Sequence, residues 1–160
     1  MNKYAKKGYY GIGIYHSKNI LNIGTLWRTA NVFGAAFIFT IGRRYKQQSS
    51  DTMNTPQTIP LYEYVDFDSF KKNLPKLCRL VAVEINDSAK NVINYIHPTQ
   101  AAYILGAEDY GMPDEILDKC HDVIKIPGYS CLNVSVAGSI VLYDRICKGK
   151  GYQSESVLKS

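Results

Sequence analysis

Apolar and polar positions along this chain fall into blocks whose period switches between that of a buried strand and that of an amphipathic helix. Tyr9 to Tyr15 is a run of Tyr and Ile carrying two glycines and reads as a first strand. From Asn22 to Phe33 the apolar residues Ile23, Leu26, Trp27, Ala30 and Phe33 recur at three- and four-residue spacing. That predicts a helix with one apolar stripe, and Gly34 suits its C-terminal cap. Ala36 to Ile41 is densely apolar and stops at Gly42, as a strand buried on both faces does. The three pieces make a β-α-β unit.

The pattern continues after a polar interval. Arg43 to Pro60 is rich in Gln, Ser and Thr and contains Pro56 and Pro60, so it reads as a long loop of the kind that carries function or is disordered. Leu61 to Val65 is a short extended piece. Asp66 suits the N-cap of a helix from Phe67 to about Leu77, with Pro75 disturbing its last turn. Leu80 to Ile85 reads as a strand and Ser88 to Ile96 as a less regular helix. Ala101 to Leu105 is another apolar strand, ending at Gly106. Pro113 opens a helix at its first position, with Asp114 and Glu115 in the first turn. Val123 to Ile126 is a fifth strand, and Val134 to Cys147 a long helix. Strands apolar on both faces that alternate with helices predict an α/β fold, a parallel sheet covered by helices on both sides. Residues 1–148 are expected to form one domain, and 149–160 a flexible tail.

Composition narrows the class. The chain has 160 residues, 46% apolar and 21% charged, which suffices for one domain with its own core. No run is apolar and long enough to span a bilayer, and Met1 to Lys7 carries no apolar leader, so a soluble cytoplasmic protein is expected. Cys78, Cys120, Cys131 and Cys147 form no C-x-x-C pair and have no histidine at ligand spacing. They read as reduced, mostly buried thiols and not as a metal site. His16, His97 and His121 are isolated and read as surface or loop residues. The net charge of +5 suits a polyanionic partner. The basic residues cluster at Lys3, Lys6 and Lys7, at Arg43, Arg44 and Lys46 around Tyr45, and at Lys148 and Lys150. Arg43-Arg44-Tyr45-Lys46 is the candidate RNA contact, because an aromatic among cations permits base stacking together with phosphate contact.

Ligands of open α/β sheets bind beyond the carboxyl ends of the strands. There this chain places Glu84, then Gly106-Ala107-Glu108-Asp109-Tyr110-Gly111, then Pro127-Gly128-Tyr129-Ser130-Cys131-Leu132-Asn133. Glycines and prolines at such turns can offer backbone N–H and C=O groups to an adenine or a ribose. Other fingerprints fail. Gly11-x-Gly13 is followed by His16 where a dinucleotide-binding turn has its third glycine, and no P-loop is present.

Three ordered segments carry a resemblance: Asn22-Ile23-Gly24-Thr25-Leu26-Trp27-Arg28-Thr29-Ala30 with Phe33-Gly34; Leu105-Gly106-Ala107-Glu108-Asp109-Tyr110-Gly111-Met112-Pro113; and Ile126-Pro127 with Leu132-Asn133-Val134-Ser135-Val136-Ala137. With them the chain, from about Tyr10 to Cys147, resembles the SpoU (TrmH-like) family of RNA 2′-O-ribose methyltransferases in the SPOUT superfamily. The resemblance implies a C-terminal trefoil knot, a homodimer, an RNA substrate (tRNA or rRNA) and S-adenosyl-L-methionine as cofactor. Val83, Glu84, Gly106, Ile126, Cys131, Leu132 and Asn133 would line the cofactor site. Arg28 is nominated to activate the 2′-hydroxyl; since guanidinium groups stay protonated in proteins, a phosphate clamp that stabilises the developing alkoxide is the physical role. Asn22 would bond the ribose, order Arg28 or cap its helix. Glu108 would pair with Arg28, within the chain or across the dimer. Asn133 and Ser135 would satisfy backbone groups where the last helix begins. The chain departs from the family pattern at Cys131, where serine is usual, and in a short segment from Pro127 to Cys131. An RNA-binding or regulatory protein that keeps the fold without turnover is the alternative, and a different small-molecule α/β enzyme a third reading.

Overall fold

The computed structural model describes residues 8–44 and 59–149. Its seven strands are β1 (Tyr9–Tyr15), β2 (Phe37–Ile41), β3 (Leu61–Tyr64), β4 (Arg79–Val83), β5 (Lys90–Asn91), β6 (Gln100–Leu105) and β7 (Asp122–Lys125). All pair in parallel, in the order β3-β2-β1-β6-β4-β7-β5. The α-helices are α1 (Ile20–Val32), α2 (Phe67–Asn73), α3 (Asp114–Leu117) and α4 (Val134–Lys148).

Each central strand sends alternate side chains to opposite faces, and both faces are covered. Tyr10, Ile12 and Ile14 of β1, with Ala101, Tyr103 and Leu105 of β6, pack in one cluster with Leu26, Trp27 and Ala30 of α1 and Val141 and Leu142 of α4. Phe37, Phe39 and Ile41 of β2, with Ala102 and Ile104 of β6, pack in the other with Phe67 and Phe70 of α2 and Ile116 and Leu117 of α3. This two-sided burial is why the strands read as unbroken apolar runs. The two glycines of β1 serve the second cluster. They lie opposite Phe37 and Phe39 in the ladder, and a Cβ on Gly11 or Gly13 would come within 2.3 or 2.4 Å of those rings.

Several local expectations are corrected. Helix α1 starts earlier than expected, because the Asn19 side chain accepts from the Leu21 N–H; Asn22 lies inside the helix and is not its cap. Helix α2 ends at Asn73. Leu74 before Pro75 is extended at ψ 132°, as the proline ring requires. Pro113 occupies the cap position of α3 at ψ 146°, not the first helical position. The segment 88–96 is no α-helix: it holds the edge strand β5 and a single 3-10 turn, Val92–Asn94. There the Asn86 side chain takes the Ser88 N–H and the Asn91 side chain takes the Ile93 N–H. Such local bonds compete with helix formation. Ala89, Val92 and Tyr95 are the segment's buried residues. Among the described residues no helix is long and apolar enough to cross a membrane.

His97 is not a surface residue; its side chain is 4% exposed. Its Nδ1 faces Tyr103 Oη at 2.6 Å and its Nε2 faces Asp144 Oδ2 at 2.8 Å. Arg145 donates to Tyr103 Oη and to the carbonyls of Pro98 and Thr99, and Lys148 donates to Asp144. These bonds clasp α4 to the segment leading into β6.

Candidate active site

Strands β1 and β6 are neighbours, and the chain leaves β1 toward β2 and β6 toward β7, in opposite directions, which makes the carboxyl ends of this pair the switch point where a crevice is expected. Beside it, the turns after β4, β6 and β7 enclose a cleft of about 490 Å³. That lies within the usual ~300–1,000 Å³ of small-molecule sites. Val83, Glu84, Gly106, Ile126, Cys131, Leu132 and Asn133 all line it, together with Leu105 and Ala137. The wall is mixed: Val83, Leu105, Ile126, Leu132 and Ala137 give apolar surface, and Glu84, Glu108, Asp109, Ser130 and Asn133 give polar side chains.

Glu84 explains two glycines of the second motif. Its carboxylate accepts from the Ile85 N–H at 2.9 Å and the Met112 N–H at 3.1 Å. A Cβ on Gly106 or Gly111 would lie 2.6 or 2.7 Å from Glu84 Oε2, and Gly111 has φ +70°. Only glycine there leaves room for the carboxylate. Ala107 and Gly111 exchange both backbone hydrogen bonds, at 2.9 and 3.0 Å, so Glu108, Asp109 and Tyr110 stand at the tip of a closed turn.

Four residues nominated for catalysis form one hydrogen-bonded chain. Glu108 accepts from Ser17 Oγ (3.2 Å), the Lys18 N–H (3.0 Å) and Asn22 Nδ2 (3.0 Å). Burial works to raise its carboxyl, but the hydrogen bonds from Asn22, Lys18, Ser17 and its own backbone outweigh burial and hold it below the usual range. Asn133 Nδ2 donates to Asn22 Oδ1 at 3.1 Å. Asn133 Oδ1 caps α4, accepting from the Ser135 and Val136 N–H groups and from Ser135 Oγ. Asn22 and Ser135 are buried. The chain locks α1, α4 and the 107–111 turn together.

Arg28 stands apart. It is exposed on α1 and makes no hydrogen bond or ion pair with any described residue. Within the chain Glu108 does not pair with it; the guanidinium near Glu108 is that of Arg44, at 3.9 Å. Arg44 itself is engaged. It holds Asp109 through two bonds of 2.9 and 2.6 Å, donates from Nε to the His16 carbonyl, and lies 5.0 Å from the Tyr110 ring centre. Arg43 donates to Glu63 at 2.5 Å. Tyr45 and Lys46 lie outside the described residues. The four cysteines are not mostly buried: Cys131 and Cys147 are exposed, whereas Cys78 is buried and Cys120 half-buried, its thiol pushed up to about 12 by burial. Among the described residues no group of His, Cys, Asp and Glu could hold a metal ion.

Sequence reasoning missed Ser17, Lys18 and His16. Their one signal was position just beyond β1, at the switch in strand order, and that order is not visible before the strands are paired.

Residues 12–143 match the model of the SpoU rRNA Methylase family, and the chain belongs to that family. A curated protein of Archaeoglobus fulgidus, described as an uncharacterized tRNA/rRNA methyltransferase, is 32% identical over 130 residues. The match covers 76% of this chain and 57% of that protein, so the chain spans little more than half of its relative. Among solved structures, the AdoMet-bound rRNA methyltransferase of Sinorhizobium meliloti superposes with a TM-score of 0.73 at 18% identity, over 87% of this chain and 56% of its own. A structure concerned with 2-OH methylation of C/U34 on tRNA superposes with a TM-score of 0.76 at 21% identity, over 89% and 97%. At these identities the likeness establishes a shared fold.

Proposed function

We propose that this chain transfers the methyl group of S-adenosyl-L-methionine to a ribose 2′-hydroxyl of RNA. The observation that carries the reading is the cleft after β4, β6 and β7. It gathers all seven residues nominated for the cofactor and adjoins the chain of Glu108, Asn22, Asn133 and Ser135. The residues fit the group: Val83, Leu105, Ile126 and Leu132 offer apolar wall, and the turn backbones offer polar atoms. In this reading the chain also carries the family's trefoil knot.

The bound cofactor supplies an electrophilic methyl on a sulfonium. The protein's part is alignment and charge. Asn22 and Asn133 have fixed amide orientations, since each donates and accepts within the network, and Asn133 lines the cleft. Glu108 has three donors on its carboxylate and so orients its neighbours; it does not take the hydroxyl proton. Arg28, charged and exposed on the same helix as Asn22, clamps an RNA phosphate and offsets negative charge growing on the 2′-oxygen.

The reading includes a homodimer. Leu21 and Val32 on α1, and Val136 and Tyr143 on α4, are exposed apolar side chains on two helices that pack together. Leu21, Thr25, Arg28 and Val32 fall on one row of α1 at helical spacing. A second copy seated on this row would cover the patch and bring Arg28 to the interface. Light scattering should report twice the chain mass, and Val136→Asp with Tyr143→Asp should halve it.

Purified protein, methyl-labelled cofactor and total tRNA or rRNA test the activity. The expected product is a 2′-O-methylated nucleoside. A methylated base, or no label from protein that binds cofactor, overturns the reading; the latter result favours a binding protein without turnover.

A further inference from the structure

A second set of contacts reaches the 107–111 turn at Asp109 and Tyr110, and Lys18 of the Glu108 network also comes within 3.7 Å of Asp109. Arg44 lies just beyond β2, His16 just beyond β1, and Asp109 and Tyr110 at the tip of the turn. The guanidinium forms its two-bond pair with Asp109, while its Nε is fixed on the His16 carbonyl. It lies over the Tyr110 ring, whose hydroxyl is 2.6 Å from His16 Nδ1. His16 has φ +51° and its ring stacks on Tyr15 at 4.0 Å. A Cβ on Gly42 would lie 2.6 Å from the His16 ring, so a glycine at the end of β2 makes room for it. A non-glycine residue at positive φ persists where its surroundings hold it, and such residues concentrate at functional sites.

An exposed ion pair with one loose contact contributes little. Here the planar fork is met by a carboxylate, a carbonyl and a ring at once, which fixes its geometry. All three guanidinium nitrogens donate within the protein, leaving Arg44 poorly placed to bind phosphate. Every residue from Gly106 to Gly111 lines the cleft, and among the described residues the backbone closure of the turn is the Ala107–Gly111 pair. What holds the tip therefore shapes the cleft wall.

We propose that Arg44 and Asp109 are positioning residues for the cofactor cleft: their pair, with Tyr110 against the guanidinium and His16 beneath, sets the 107–111 turn and thereby the affinity for S-adenosylmethionine. The inference rests on the reading that the cleft holds this cofactor, and it removes Arg44 from the candidate RNA contacts.

Calorimetry with S-adenosylmethionine on the wild-type chain, Arg44→Ala, Asp109→Ala, the double variant and Arg44→Lys tests it. Each single change to alanine should weaken cofactor binding by about 3- to 30-fold, and the double change little more than either, since paired residues are not additive. Arg44→Lys keeps the charge, loses the fork and should fall between; it also serves as the folded control if a change to alanine fails to fold. In cofactor-free protein the amides of Ala107 and Gly111 should exchange faster in the variants. RNA affinity without cofactor should stay within about twofold of wild type. Unchanged cofactor affinity in the variants, with or without a loss of RNA binding, overturns the proposal while leaving the reading of the cleft intact. A wild-type chain that binds no cofactor overturns both.

Discussion

Glu108 shows how neighbours decide what a carboxylate does. Three N–H or O–H donors converge on its two oxygens from Ser17, Lys18 and Asn22. Glu108→Gln would turn one oxygen into an NH2 group, which then faces either the Lys18 N–H or the Asn22 amide, donor against donor. A loss of about 1–3 kcal/mol in urea unfolding is expected, and a change under about 0.5 kcal/mol would mean the network contributes no more than ordinary surface. Folded Glu108 titrates below its usual value, so its stabilisation is full above the unfolded value of about 4.5 and fades as pH falls through the folded one. His97 adds a second acid-side loss. Burial pushes its ring below the ordinary 6.5, although Asp144 pulls the other way. The neutral ring with its proton on Nε2 donates to Asp144 and accepts from Tyr103. As pH falls below about 6.5 the unfolded chain takes up a proton that the folded chain refuses, and stability drops until the folded ring titrates. His97→Gln, which can also donate and accept, should decline less between pH 7 and 5 in pH-resolved melts. Equal slopes would show that folding does not shift the His97 pKa. His16, also depressed, first by burial and then by Arg44, supplies part of what remains. Of this residue-level detail, Asn133 and Ser135 were legible in the third motif. The Arg44–Asp109 pair was not, because 65 residues separate the partners.

At the scale of elements, period and punctuation located most of the chain. The apolar runs of β1 and β2, the stripe in α1, Asp66 before α2 and Asn133 before α4 are local signals, and each element sits where its signal lies. The segment 88–96 differs because the Asn86 and Asn91 side chains take backbone N–H groups locally and Lys90 pairs with Ile124 on β7, a partner no local signal reveals. Helix α4 offers a test of packing against propensity. Gly138 is mid-helix, where alanine would gain about 1 kcal/mol of helix propensity. Its Cβ would meet Leu26 at 2.6 Å, Leu105 at 3.0 Å and Ile12 at 3.2 Å, from α1, β6 and β1 together. All three contacts are terminal methyls of side chains that are themselves fully buried, so each shift presses on packed neighbours, and overpacking costs about 1–3 kcal/mol. Gly138→Ala should therefore lower the melting temperature by a few degrees; an increase would show that the α1–α4 seam has slack.

For the whole molecule, the class of architecture followed from alternating strands and helices apolar on both faces. The strand order did not, since nothing local says that β1 pairs with β6 and β4 with β7. That order creates the site: it brings Ser17, Glu108 and Asn133 from three parts of the chain to one crevice. The central pairing joins Tyr9 to Gln100 and Ile14 to Leu105. A parallel sheet closed by so distant a contact should refold over milliseconds to seconds in stopped-flow fluorescence of Trp27, not in microseconds. The same ladder sets a timetable for biosynthesis. While the ribosome is still short of Gln100, β1 has β2 on one side and bare N–H and C=O groups on the other, an invitation to strands of neighbouring nascent chains. The cleft thus closes only once residues through Ala137 have emerged, and in the interval before that the open edge of β1 is exposed to aggregation.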